Sequence, residues 1–244
     1  MFFSSEQNPE IGKYLEGVST AITAIHGKID EIVPGLEQPV GVGEFTMGNN
    51  HVQLGNVTVG KYTETEESYI TFKTMEQPAP LPKPVSKGGV VAHLLHGLKE
   101  QSSSLTDDGK TSPSEKTHRY VMGKIDGEDI ISSADQAVAF SPGKLTVSRD
   151  VGKVRHVHII KACENDADRP GFELIGRCYN GYTEETVAEQ PVSVLNGAVD
   201  FSKQLCTIME KLGMDPETIP QILRDTSWAE KLAKPVTTQR PQGR

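Results

Sequence analysis

From residue 142 onward, apolar positions alternate with polar ones in short runs and then switch to a three- and four-residue spacing. Pro142-Gly143 is a turn, 144–149 alternates Leu145 and Val147 with polar neighbours, 153–163 is a long β-branched run, and 172–179 alternates again. The polar stretch 166–171, containing Arg169-Pro170-Gly171, separates the last two. Residues 191–195 read as a short fourth strand before Asn196-Gly197. Ala198, Phe201, Leu205, Ile208 and Leu212 then fall on one helical face, and Gly213 stops the helix. The order is ββββα.

The chain opens on a different pattern. Asn8-Pro9-Glu10 supplies a cap, a first-turn proline and a first-turn acid, and Pro34-Gly35 ends the helix they start. Between them Ile11, Leu15, Val18, Ile22, Ile25, Ile29 and Ile32 are spaced by four and three, an unbroken heptad seam on a rod of roughly 37 Å. Such a seam serves self-association through a coiled coil or bundle, or packs the arm on its own domain. These seven residues are the candidate oligomerisation set.

Strands are expected at 44–47, 51–61 and 68–75, with 48–50 a turn and the acidic 64–67 a loop. Pro78, Pro80, Pro82 and Pro84 make a stiff extended connection. Ser86 caps a helix carrying Val90, Val91, Leu94, Leu95 and Leu98 on one face. Residues 101–117 hold one large apolar side chain, Leu105, and read as a flexible linker. Then 119–125 and 128–132 flank Asp126-Gly127 as a hairpin. Beyond Gly213, Asp215-Pro216-Glu217 begins a helical stretch with Ile219, Ile222, Leu223, Trp228 and Leu232.

The pattern predicts an α+β protein with two antiparallel β units, each closed by a helix, behind an N-terminal amphipathic helix. The expected divisions are a helical arm at 1–37, a first sheet-and-helix unit at 38–100, the linker at 101–117, a second unit at 118–233 and a disordered tail at 234–244.

Composition narrows the function. No run approaches the ~20 apolar residues of a membrane helix, and the N-terminus lacks a basic, then apolar, leader, so no membrane association or export is expected. Three irregularly spaced cysteines fit a reducing, cytoplasmic compartment. The net charge of −8 opposes non-specific attraction to nucleic acid through the whole-molecule field, so any such binding needs a local patch.

One stretch reverses that charge. Between 144 and 163 stand Lys144, Arg149, Lys153, Arg155 and Lys161 against a single acid, Asp150, and Arg169, Arg177 and Tyr179 follow on the next hairpin. Adjacent strands bring some of these onto one sheet face, where cations track phosphates and rings stack bases. The plainer alternative is a solvated face salt-bridged to Asp150, Glu164, Asp166 and Glu173.

Catalytic signatures are sparse. The sequence has no Gly-x-Ser-x-Gly elbow, Walker-type phosphate loop or Gly-x-Gly-x-x-Gly, and no cofactor is implied. His156-x-His158 with Cys178 on a neighbouring strand lacks a further ligand for a zinc site, and His93-x-x-His96 lacks the acid of metalloprotease chemistry. Lys87-Gly88-Gly89 could offer amides to an anion, and Cys163 near Lys161 could be mildly activated.

Two rounds of antiparallel strands closed by a helix, over 43–212, resemble the Whirly-type fold of single-stranded nucleic-acid-binding proteins, although that family's lysine-glycine-lysine-alanine strand motif is absent. The resemblance implies oligomers whose strand faces bind single strands with little sequence preference. On that view Lys144, Arg149, Lys153, Arg155, Lys161, Arg169 and Arg177 contact phosphates, while Tyr179 and Tyr120 stack bases. The acidic composition, capped N-terminal helix and loosely repeated β units are also similar to RNA-binding proteins of large bacteriophages that build a nucleus-like compartment. The expected function is binding of single-stranded RNA or DNA without catalysis. The rivals are an assembly protein using its heptad helix and sheets, and a metal-dependent hydrolase using His156 and His158.

Overall fold

The computed structural model describes residues 2–4, 9–34, 49–62, 67–76, 114–163, 171–180, 183–185 and 191–233. The fold is α+β. Its strands are β1 (Phe2–Ser4), β2 (Asn49–Leu54), β3 (Val57–Tyr62), β4 (Glu67–Glu76), β5 (Ser114–Ile125), β6 (Glu128–Ser132), β7 (Gln136–Ser141), β8 (Lys144–Val151), β9 (Val154–Cys163), β10 (Gly171–Asn180) and β11 (Thr183–Glu185). The helices are α1 (Pro9–Ile32), α2 (Pro191–Lys211), α3 (Gln221–Arg224) and α4 (Ser227–Ala233), with a 3-10 turn at Pro216–Thr218.

The strand order is β1-β10-β9-β8-β7-β6-β5-β4-β3-β2, with β11 also on β10. The strands expected in two β units therefore follow one another in a single order. From β5 to β10 each strand pairs antiparallel with the next in sequence, so local hairpins build the ladder. Asp126 (φ 51°) and Gly127 (φ 81°) both take the left-handed conformations that a two-residue hairpin turn requires.

By compactness the chain divides into two units, Met1–Thr71 with Arg119–Arg244, and Phe72–His118. In the smaller unit the Phe72 ring stacks on His118 at 4.9 Å, and Thr74 Oγ1 lies 2.8 Å from His118 Nε2. Lys73–Glu115 at 3.0 Å and Lys116–Glu76 at 3.1 Å cross the same ribbon.

The larger unit holds the core. Val59, Ile70, Met122, Ile131, Val138, Phe140, Leu145, Val147, Ile160 and Leu174 are buried on one sheet face, and α2 packs on β8, β9 and β10. Helix α1 packs on β3, α2 and α3. The buried Tyr14 hydroxyl donates to the Ala198 carbonyl at 3.2 Å, and its ring lies 4.8 Å from Trp228. Burial raises that hydroxyl far above the ordinary tyrosine value.

Here the heptad seam finds its partners. Ile11, Val18, Ile25 and Ile29 are fully buried, Leu15 and Ile22 nearly so, and only Ile32 is half-buried. The seam is filled by the chain's own elements, and an oligomer built on it would first have to open this core.

Other differences are local. Residues 51–61, expected as one strand, fold back at Gly55-Asn56 into the β2–β3 hairpin. Residues 114–117, expected in the linker, extend β5. Strand β7 has no counterpart in the sequence reading. Residues 191–195 are the first turn of α2, not a strand, because Pro191 suits the first helical position and Val194 and Leu195 join Ala198 in the core. The strand expected at 44–47, the proline-rich connection, the helix begun by Ser86, His93, His96, Lys87-Gly88-Gly89 and the tail lie outside the described residues.

Candidate nucleic-acid interface

Alternation along β8, β9 and β10 divides the basic stretch between the two sides of the sheet. Residues in register share a side. Lys144 pairs with Lys161, Ser148 with Val157, and Asp150 with Arg155 across β8–β9; across β9–β10, Lys161 meets Glu173, Ile159 meets Ile175, Val157 meets Arg177, and Arg155 meets Tyr179. All of these have the parity opposite to buried Leu145, Val147, Ile160 and Leu174. They therefore form the face turned away from α2, with charges at both ends and Val157, Ile159 and Ile175, all half-buried, between them.

Several cations on this face are partnered. Arg155 donates from Nε to Asp150 Oδ1 at 2.8 Å and from Nη2 to Oδ2 at 3.0 Å, a fork that holds the Asp150 carboxyl below its ordinary value. Lys144 lies 3.4 Å from Glu128. Lys153 is exposed at the β8–β9 turn, where it lines a shallow hollow with Asp150, Gly152, Arg155, Val157 and Tyr179.

Two expected contacts are displaced. Arg149 has the parity of Leu145 and Val147, so it turns toward α2 and lies 3.5 Å from Asp200. Tyr120 has the parity of Met122 and is 7% exposed, with burial raising its hydroxyl, so its ring is not offered to a base. Arg169 lies outside the described residues.

Compared with family models, curated proteins and solved structures, the chain matches none. Its chemistry is read from its own residues. Among the described residues no helix is long and apolar enough to cross a membrane.

A cluster that the sequence reading missed lies farther along the same sheet. Tyr62 and Tyr69 pack ring to ring at 4.9 Å, and the Arg119 guanidinium sits 5.4 Å from the Tyr69 ring centre and 6.0 Å from that of Tyr62, donating to the Tyr62 hydroxyl. Arg119 shares the parity of Val121, which pairs with Ser132, so the cluster belongs to the open face. Tyr62 and Tyr69 alternate with buried Val59 and Ile70, a period-two signal visible in sequence. Their meeting with Arg119 depends on register across three strands.

The helix-facing side holds His156, His158 and Cys178. Cys178 Sγ is 3.1 Å from His156 Nδ1. His158 packs under Gly197 of α2, its Nδ1 is buried without a hydrogen-bond partner, and burial, then His156 and Arg149, lower its pKa from the ordinary imidazole value. Among the described residues no group of three or more His, Cys, Asp and Glu side chains is placed to hold a metal ion. Burial, then Glu173, push the Cys163 thiol up and outweigh the lowering by Lys161.

Proposed function

We propose that the open sheet face binds single-stranded RNA or DNA, without catalysis and with little base preference. The observation that carries this reading is the sharing of one face by Lys144, Arg155, Lys161, Arg177 and Tyr179, opposite the helices. From Arg155 to Lys161 along β9 is about 20 Å, with Val157 and Ile159 between them as an apolar floor on which bases can rest. Tyr179 beside Arg155, and Tyr69 beneath Arg119, supply ring and cation together.

The likeness to a Whirly-type unit rests on a run of antiparallel strands, β7 to β10 with the short β11, followed by the helix α2. On this reading the chain acts in the cytoplasm as a homo-oligomer, and repeated weak sites gain affinity through effective concentration. A second reading, an assembly protein, draws on the half-buried Val157, Ile159 and Ile175, which suit protein contact as well as bases.

Fluorescence anisotropy with labelled single-stranded RNA, single-stranded DNA and duplex across a salt series separates the two. Four phosphate contacts give a log–log salt slope of about −3 for a single strand. Single-strand preference abolished by Lys153→Glu/Arg155→Glu is the expected result. No binding to any probe at low salt overturns the reading and leaves assembly ahead.

A further inference from the structure

Gln136, Arg149, His156 and Cys178 stand side by side in register across β7, β8, β9 and β10, on the side facing α2. They form a polar row at the end of the sheet face whose next row is Val138, Val147 and His158, followed by the apolar row Phe140, Leu145, Ile160 and Leu174. Gln136 is partnered by Gln204, and Arg149 by Asp200 at 3.5 Å, while Arg149 Nε and His158 Nδ1 are buried without hydrogen-bond partners. The remaining pair is a thiol and an imidazole in contact: half-buried Cys178 Sγ lies 3.1 Å from His156 Nδ1. A nucleophile within hydrogen-bond reach of a base is the arrangement that activates cysteine.

We propose that Cys178 is a reactive thiol with His156 as its base, and a site of S-thiolation by low-molecular-weight disulfides. His156 Nδ1 takes the proton from Cys178 Sγ. The thiolate attacks one sulfur of the disulfide, a new S–S bond forms to Cys178, and the reagent's own S–S bond breaks. The electron pair leaves on the second sulfur, which the His156 imidazolium reprotonates. The disulfide is the only oxidant needed.

The other two cysteines point the opposite way. Burial and Glu173 raise the Cys163 thiol, and burial and Glu210 raise that of Cys206. The structure therefore sets one imidazole-paired thiol against two disfavoured ones in the same molecule, which provides an internal control. The site lies on the side of the sheet opposite the proposed nucleic-acid face, so either can fail without the other.

The test treats the folded full-length chain with 5,5′-dithiobis(2-nitrobenzoate), follows the coloured thiolate released, and maps the adducts by mass spectrometry; a parallel arm uses glutathione disulfide. Cys178 is expected to react at least about tenfold faster than Cys163 and Cys206, and Cys178→Ser to abolish the fast phase. His156→Gln should slow Cys178 by about tenfold with unchanged circular dichroism, and free imidazole should restore part of the rate in His156→Ala. Rates at the three cysteines within twofold of one another, or an unchanged Cys178 rate in folded His156→Gln, overturn the proposal. Should the histidine variants not fold, the comparison within the wild-type chain decides it alone.

Discussion

Lys144 of β8 and Lys161 of β9 stand directly opposite each other in the antiparallel ladder, two cations where a strand pair favours opposite charges. Lys144 leans to Glu128, and Lys161 has Glu173 as its other neighbour in register. Lys161→Gln removes one repulsion and one attraction, so stability in urea should change by less than about 0.5 kcal/mol. Single-strand affinity should fall and the salt slope become shallower by about 0.7. A slope equal to that of wild type excludes Lys161 from the phosphate path.

Tyr179→Ala and Tyr69→Ala should each weaken single-strand binding by about 1–3 kcal/mol, the usual worth of a stacked base. Tyr120→Phe should leave it unchanged, because that ring lies in the core. The reverse ranking, read by anisotropy at one salt concentration, would assign binding to the helix-facing side.

Gly17 and Gly27 lie on the same helix and should respond oppositely to alanine. A Cβ at Gly17 would come 2.5 Å from Ile222 Cγ2 and 3.5 Å from Pro220, so Gly17→Ala should cost about 1–3 kcal/mol despite better helix propensity. At exposed Gly27 a Cβ meets nothing within 4 Å, and Gly27→Ala should stabilise by about 0.5–1 kcal/mol. Trp228, the chain's single tryptophan, lies in this helical cluster, and its fluorescence reports both melts.

His158 gives the fold a dependence on pH. Its imidazole is held below the ordinary value of 6.5, chiefly by burial, so the folded chain binds fewer protons there than the unfolded one. The charged or titratable groups that act on it are His156 and Arg149 on the sheet, and Arg149 is itself 3.5 Å from Asp200 of α2. Its contribution to stability is present above about pH 6.5 and lost as pH falls through and below that value. His158→Gln should flatten the fall in Tm between pH 7.5 and 5.5. An equal slope in the variant would place the acid sensitivity elsewhere.

Much of the site could be read before the fold. Strands β8, β9 and β10 lie within two residues of the runs their alternation marks, and the cationic stretch is plain in the sequence. The same parity, carried two residues further, assigns Arg149 to the side of Leu145 and Val147, and Tyr120 to the side of Met122. Val192 and Val194 misled because β-branched residues favour a strand in isolation, whereas burial of Val194 and Leu195 with Ala198 selects a helix.

Which segments alternate, which run with helical period and where the positive charge gathers are legible in the amino-acid order alone, because these are properties of neighbours along the chain. Whether the seam of α1 meets a second molecule or its own α2 and α3 is not such a property, since a heptad pattern is equally satisfied by either. Nor is the meeting of Cys178 with His156, or of Arg119 with Tyr62 and Tyr69. Those contacts are set by strand register, which shifts every facing pair at once and is decided only when the hairpins close and one sheet face is buried against the helices.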